Sequence, residues 1–142
     1  MYLLDTNVIS ELRKAKSGKA DKNVEAWANS VNVSHFFLSV ITILEIETSV
    51  LLIERKDAVQ GAALRSWLNA HVLPAFSDRI LVVDTAVAQC CAKLHVPDPQ
   101  SDRDAIIAAT AIVHGMTVVT RNVDDFKSSG VEILNPWNCK IL

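Results

Sequence analysis

Short apolar runs alternate with amphipathic segments of helical periodicity along almost the whole chain, and this alternation restricts the fold more than any other feature. The runs that predict strands lie at residues 2–4, 36–38, 80–83, 116–120 and 131–134. Runs this short, and apolar throughout, are typical of strands buried on both faces of a parallel sheet. The intervening helices then cover the two faces. The sequence therefore predicts an α/β domain, a three-layer αβα sandwich with a central parallel sheet.

Helices are predicted between these strands, separated by residues that favour caps and turns. They span residues 8–14, 23–31, 42–56, 58–73, 85–95 and 101–114. We expect Pro74 to end the fourth helix and Gly115 to cap the last one. Residues 13–22 are polar and contain Gly18, which predicts a loop, and a further helical turn is predicted at 123–127.

Composition excludes several classes of protein. The chain has 142 residues, of which half are hydrophobic, and its 14 Lys and Arg against 16 Asp and Glu give a formal net charge of −2. This balance argues against a protein that coats nucleic acid through bulk positive charge. Neither a membrane span nor a signal peptide is predicted, and three cysteines are too few for a disulfide framework. We expect one soluble, cytoplasmic domain comprising residues 1–142.

Carboxylates collect at the predicted carboxyl edge of the sheet, where α/β proteins bind ligands. Asp5 directly follows the first strand, and Asp104 opens a helix whose inward stripe is small and apolar. Glu45 lies on a helical stripe without other charges, while Asn122 and Asp125 follow the fourth strand. Each position also has a simpler interpretation, as a helix cap, part of a capping box or a charge at the rim of a helix.

Taken together, these acids favour a bound cation. Two carboxylates about 4 Å apart repel by roughly 4 kcal/mol at an effective dielectric of about 20. Hard divalent ions such as Mg²⁺ or Mn²⁺ take oxygen ligands and neutralise such a cluster. None of the four histidines has the spacing of a zinc site. Periodicity alone does not distinguish Glu45 from Glu47.

Four blocks of this sequence resemble, in order and spacing, the motifs of PIN-domain nucleases. Asp5 lies in the first block, LLDTNVISE, and Glu45 ends the second, LSVITILE. The third block, DAIIAATA, begins with Asp104, and the fourth, VTRNVDDF, contains Asn122 and Asp125. The match favours Glu45 over Glu47. Within the family the chain looks most like the VapC/FitB branch, the toxin halves of bacterial toxin–antitoxin pairs.

The resemblance implies an endoribonuclease that depends on Mg²⁺ or Mn²⁺ and hydrolyses phosphodiester bonds with a metal-activated water. It implies that Asp5, Glu45 and Asp104 are metal ligands and catalytic residues, with Asn122 and Asp125 in support. Several relatives carry an aspartate where this chain has Asn122, which leaves the number of metals open. The resemblance also implies a homodimer held by a small DNA-binding antitoxin, with operator DNA contacted only through that antitoxin and no membrane partner.

Other polar residues are given supporting roles. We expect Thr6, Asn7 and Asp102 to position ligands or water through hydrogen bonds. Binding of the RNA backbone is assigned to Arg13, Lys14, Lys16 and Arg121; alternatively, the basic run at 13–22 is only a solvated loop. Six large apolar residues have two interpretations: they pack in the core, or they form a face for a dimer partner or the antitoxin. These residues are Leu51, Leu52, Leu64, Trp67, Leu68 and Trp137.

Two other functions compete with this assignment. A phosphoaspartyl enzyme also places an Asp after its first strand, but many such hydrolases need a second Asp where this chain has Asn7. A catalytically weak or inactive PIN-like subunit, which works through a partner complex, is the stronger alternative because of the uncharged Asn122. Cleavage of DNA is a third possibility that these residues leave open.

Overall fold

Five parallel strands form the sheet in the computed structural model, which describes residues 1–139. Their order across the sheet is β3-β2-β1-β4-β5, and every neighbouring pair is parallel. The predicted parallel sheet is confirmed, with the later strands shorter than expected. The strands are β1 (Tyr2–Leu4), β2 (Phe36–Ser39), β3 (Ile80–Leu81), β4 (Thr117–Val119) and β5 (Ile133–Leu134).

Helices lie on both faces of the sheet. They are α1 (Thr6–Leu12), α2 (Lys22–Ser30), α3 (Val40–Lys56), α4 (Ala58–Trp67), α5 (Leu73–Ala75), α6 (Thr85–Leu94) and α7 (Asp102–His114). Gly115 ends α7 in the left-handed conformation with a φ of 65°, as expected. Each predicted helix is therefore present, with boundaries that differ by a few residues.

The prediction that Pro74 ends a helix is wrong. After α4 the chain continues through a π-helical segment, Leu68–Val72, directly into α5, and Pro74 lies in the first turn of α5. The helical path therefore extends to Ala75.

The predicted loop at 13–22 is also partly wrong. Arg13–Ser17 forms a 3₁₀ helix that continues directly from α1. Gly18 ends it with a φ of 72°, a left-handed conformation that glycine adopts without strain. Asp21 then caps α2 by accepting hydrogen bonds from the next turn. The basic side chains of this segment are consequently carried on a turn of helix.

Successive residues of β1 point to opposite faces of the sheet and separate the core into two parts. Leu4 packs with Val8 and Trp27 in one cluster, whereas Leu3 packs with Ile107 and Phe126 in the other. This alternation is the period-2 geometry of a strand, and it produces the three predicted layers.

The apolar residues of α3 and α4 are not all buried. Leu68 is 1% exposed, and Leu64 and Trp67 pack partly against the core. Leu51 and Leu52 are 52% and 56% exposed, so the core-packing interpretation is wrong for these two. None of the helices within residues 1–139 combines the length and apolar character needed to cross a membrane.

Candidate active site

A polar pocket of about 440 Å³ opens where β1 and β4 end. The three acids predicted as metal ligands, Asp5, Glu45 and Asp104, all line it. The pocket therefore brings together residues that are separated by up to 99 positions along the chain. The other lining residues are Thr6, Asn7, Ser10, Glu11, Lys14, Arg121, Asn122 and Trp137.

Asp5 is the most buried of these acids, with 6% of the residue exposed. It directly follows β1 and caps α1, accepting a hydrogen bond of 2.9 Å from the Thr6 N–H. Thr120 Oγ1 donates to its Oδ2 at 2.8 Å, and Asn7 Nδ2 donates to the same oxygen at 3.2 Å. Burial raises the pKa of Asp5, because these hydrogen bonds only partly offset the loss of water. The charge of Glu45 raises it further.

Thr120 is a site residue that sequence analysis missed. It is completely buried, and its hydroxyl accepts a hydrogen bond of 3.0 Å from the Asn122 N–H while donating to Asp5. Leu4 pairs with Val119 in the sheet, so Asp5 and Thr120 leave adjacent strands side by side. Thr120 directly follows β4 as Asp5 directly follows β1, but the predicted strand at 116–120 included it, so its position in the sequence did not mark it as a site residue.

Glu45 lies in the second turn of α3 and is held from two sides. Thr6 Oγ1 donates to its Oε1 at 2.8 Å, and Arg103 Nη1 lies 3.8 Å from its Oε2. Glu47 instead forms an ion pair of 2.7 Å with Arg65 outside the pocket, and this contact lowers the pKa of Glu47. The two glutamates, which periodicity did not distinguish, are therefore distinguished by their partners.

Asp104 reaches the pocket from the first turn of α7. Burial is the main cause that raises its pKa, and the charges of Asp5, Asp125 and Glu45 raise it further. The carboxylates are thus close enough to repel one another. Ser101, at the N-cap of α7, makes no side-chain capping bond, which argues against the alternative interpretation of Asp104 as part of a capping box.

The remaining predicted polar residues divide between the pocket and its surroundings. Asn122 lines the pocket, whereas Asp125 lies beside it in an adjoining depression that Asn122 and Arg121 share. The side chain of Asp102 is 92% exposed and lies 3.6 Å from His95 Nε2. It is not among the residues that line the pocket.

The predicted RNA-binding residues divide in the same way. Lys14 and Arg121 line the pocket, and Lys14 also forms an ion pair of 3.2 Å with Glu11. The guanidinium of Arg13 lies 5.7 Å from the ring centre of Trp67 and borders an apolar groove instead. Lys16 is exposed and is not part of the pocket lining.

The chemistry of the pocket fits a hard divalent cation. Three carboxylates supply oxygen donors, and the raised pKa values of Asp5 and Asp104 show that their negative charge is poorly compensated. Within residues 1–139, no three His, Cys, Asp or Glu side chains stand ready to hold a metal ion. Coordination of one cation by Asp5, Glu45 and Asp104 together would therefore require rotation of their side chains.

Comparison with known proteins identifies the family. The sequence model of the PIN domain matches residues 2–130. This chain belongs to the PIN domain family. The match confirms the resemblance to PIN-domain proteins that the four sequence blocks indicated.

Within the PIN family, the chain is similar to proteins of the VapC and FitB type. It is 35% identical to the VapC ribonuclease Y4jK of Sinorhizobium fredii, over 96% of this chain and 98% of that protein. It is also 35% identical to the toxin FitB of Neisseria gonorrhoeae, over 97% and 99% of the two chains.

Solved structures agree with this placement. The crystal structure of FitAcB from Neisseria gonorrhoeae matches with a TM-score of 0.88 at 34% identity, over 97% of this chain and 99% of that one. The structure of FitAB bound to the IR36 DNA fragment matches with the same TM-score and identity over 99% of both chains. The two comparisons confirm the three-layer fold.

Proposed function

We propose that this protein is an endoribonuclease that depends on Mg²⁺ or Mn²⁺ and is the toxin of a toxin–antitoxin pair. The observation that carries the proposal is the presence of Asp5, Glu45 and Asp104 in one polar pocket. The names of the relatives, a VapC ribonuclease and the toxin FitB, support the same activity and biological role.

Asp5, Glu45 and Asp104 would hold the cation through their carboxylate oxygens. The chemistry that a bound Mg²⁺ or Mn²⁺ supplies is polarisation of the scissile phosphate and activation of a water molecule for hydrolysis. Asn122 adds an amide oxygen without charge at the pocket wall, and Asp125 adds a negative charge from the adjoining depression.

The surrounding residues keep these carboxylates in place. Thr120 and Asn7 both donate to Asp5 Oδ2, which leaves Oδ1 bonded only to the Thr6 N–H. The Thr6 hydroxyl orients Glu45. These hydrogen bonds limit the orientations of Asp5 and Glu45 before the side chains rotate to share a cation.

Arg121 and Lys14 provide positive charge within the same pocket. In the proposed enzyme they contact the phosphates that flank the scissile bond. This local positive charge explains how a chain with a net charge of −2 binds RNA without a strongly basic surface.

We also propose that the protein acts as a homodimer bound by a small antitoxin, which alone contacts operator DNA. Solved structures support a partner and a link to DNA, because the matching chains come from FitAcB and from FitAB bound to the IR36 DNA fragment. Both complexes match along almost the whole chain.

Product analysis tests the proposed activity. Purified protein should cleave single-stranded RNA in Mn²⁺ but not in EDTA, leaving 5′-phosphate and 3′-hydroxyl ends. Asp5→Asn and Asp104→Asn should each lose at least about 100-fold in rate. Asp57→Asn is the matched control, since Asp57 is an exposed cap of α4 and asparagine caps helices about as well.

Equal cleavage by the wild type and both pocket variants would identify a contaminating nuclease and contradict the proposal. Faster cleavage of DNA than of RNA of the same sequence would contradict the substrate class. A folded wild type that cleaves neither in Mn²⁺ would favour the alternative of an inactive binding subunit, to which the uncharged Asn122 in the pocket points.

A further inference from the structure

Arg121 and Trp137 form a cation–π pair at one side of the acidic pocket. The guanidinium carbon of Arg121 lies 5.2 Å from the centre of the Trp137 ring, and both residues line the pocket with Asp5, Glu45 and Asp104. Arg121 is exposed, and Trp137 is half-buried. A planar cation therefore covers an aromatic ring at the edge of the predicted site of phosphodiester cleavage.

The tryptophan is fixed from the protein side. Its backbone N–H donates to Asn135 Oδ1 at 3.0 Å, and its carbonyl accepts a hydrogen bond of 2.8 Å from Asn23 Nδ2. The side chain also packs against the core cluster that contains Leu4. Trp137 is thus anchored through its backbone and contacts both the core and Arg121.

Arg121 is fixed relative to the acids. Its backbone N–H donates to Asn7 Oδ1 at 3.2 Å, while the side-chain amide of the same Asn7 donates to Asp5. The backbone of Arg121 is therefore tied to the buried acid through one intervening residue.

We propose that the Arg121–Trp137 pair is a stacking platform for one unpaired nucleobase next to the scissile phosphate. The inference rests on the proposed ribonuclease function and adds to it a contact with one nucleobase of the single-stranded RNA. Unstacked bases bind to proteins by stacking on aromatic rings and on the planar guanidinium of arginine. The base lies against the exposed guanidinium, which Trp137 supports from behind. In a duplex both faces of the base are already stacked.

A role for Arg121 as a phosphate contact alone makes a different prediction. Lysine keeps the positive charge for such a contact but lacks the paired N–H donors of arginine, and it also lacks the planar guanidinium that stacking needs. Arg121→Lys therefore weakens either contact while keeping the net charge of the protein. The two roles are separated by RNA that lacks the base, on which a loss of stacking has no further effect and a loss of a phosphate contact persists.

The experiment uses a short single-stranded RNA whose cleavage site has been mapped with the wild type, together with copies that carry one abasic ribonucleotide on either side of that site. For the wild type, kcat/KM should fall by about tenfold for one of the two abasic copies. Arg121→Lys should lower kcat/KM on the intact RNA by a similar factor. On the sensitive abasic copy, the kcat/KM of this variant should fall little further. Trp137→Leu should behave like Arg121→Lys.

The control for the substitution itself is Arg55→Lys, made at an exposed residue near the end of α3 and outside the pocket lining. It should match the wild type on every RNA. Circular dichroism and thermal melting check that each variant is folded. A second, binding-only measurement places 2-aminopurine at the sensitive position and follows its fluorescence in EDTA; stacking quenches it with the wild type and not with Arg121→Lys.

The stacking proposal is overturned if Arg121→Lys has the wild-type kcat/KM on intact RNA. It is also overturned if the substitution lowers kcat/KM by the same factor on intact and on abasic RNA. Either result would leave the proposed ribonuclease activity standing, because the wild type still cleaves. If the wild type neither cleaves nor binds RNA, the proposed function fails and the platform fails with it.

Discussion

The hydroxyl of Thr120 donates a hydrogen bond of 2.8 Å to Asp5 Oδ2, although 115 positions separate the two residues. Parallel pairing of Leu4 with Val119 brings the ends of β1 and β4 together, so the residues that follow the two strands are neighbours. Both are buried, and the contact fixes the orientation of the acid from beneath the pocket. The topology of the sheet therefore determines the geometry of the candidate site.

Thr120→Val should impair the protein, whereas Thr120→Ser should not. Valine has nearly the shape of threonine but cannot donate to Asp5, and a buried polar group that loses its partner costs about 1–3 kcal/mol of unfolding free energy. We expect kcat/KM for RNA to fall about tenfold. Because the Thr120 hydrogen bond lowers the pKa of Asp5, its loss should move the acid limb of the pH–rate profile to higher pH. Identical profiles for the Val and Ser variants would disprove this role.

Asp104→Asn should stabilise the metal-free protein at neutral pH. The pKa of Asp104 is raised above 3.8 in the folded state, so the folded protein holds this proton more tightly than the unfolded chain. Stability is consequently lost as pH rises from the ordinary pKa through the raised one. The variant, which stays neutral, avoids that loss. Its Tm in EDTA should exceed the wild-type Tm at pH 7, and the difference should disappear below pH 3.8.

Added Mn²⁺ should raise the Tm of the wild type more than that of Asp104→Asn, because a ligand stabilises only the folded form that binds it. Asp57→Asn serves as the control and should respond to Mn²⁺ like the wild type. A lower Tm for Asp104→Asn than for the wild type in EDTA at pH 7 would show that the burial and repulsion of the Asp104 charge do not destabilise the metal-free protein.

Lys14→Ala should weaken RNA binding more than Lys16→Ala. Lys14 lines the acidic pocket, whereas Lys16 lies outside that lining on the same 3₁₀ turn. Loss of one phosphate contact lowers the dependence of log K on log salt concentration by about one unit or slightly less. Fluorescence anisotropy over a salt series measures both effects. Equal slopes for the two variants would rule out a specific contact by Lys14.

Gly61→Ala should destabilise the α3–α4 pair. A Cβ atom at this position would lie 2.5 Å from Glu54 Cα, so the helices would have to separate. The gain in helix propensity, up to about 1 kcal/mol, should not offset an overlap that costs about 1–3 kcal/mol. Urea unfolding measures the net change, with Ala62→Gly at the adjacent exposed residue as the reference for propensity alone. A more stable Gly61→Ala would contradict the close packing.

The features that could be predicted from the sequence are those with a local pattern. Apolar runs and the residues directly after them identified the sheet, and with it Asp5 at the carboxyl edge. Glu45 and Asp104 followed from helical stripes together with the family resemblance. All three line the pocket because parallel strands deliver their following residues to one edge.

The features that sequence analysis missed depend on contacts between distant segments. Thr120 became recognisable only once β1 and β4 were known to be neighbours in register. Arg13 resembles its basic neighbours in sequence, yet it stacks on Trp67 of α4. Asp102 is a local exception: it lies two positions before Asp104 on α7, a helical spacing that places it away from the pocket, and its side chain is exposed. Neither composition nor spacing specifies such partners.

Titration of the metal-free protein with Mn²⁺ by isothermal calorimetry tests the central claim most directly, namely that the acidic pocket is a cation site. The wild type should bind Mn²⁺, and Asp57→Asn should bind it with unchanged affinity. Asp5→Asn, Glu45→Gln and Asp104→Asn should each bind at least about tenfold more weakly. Wild-type affinity in all three pocket variants would contradict the account.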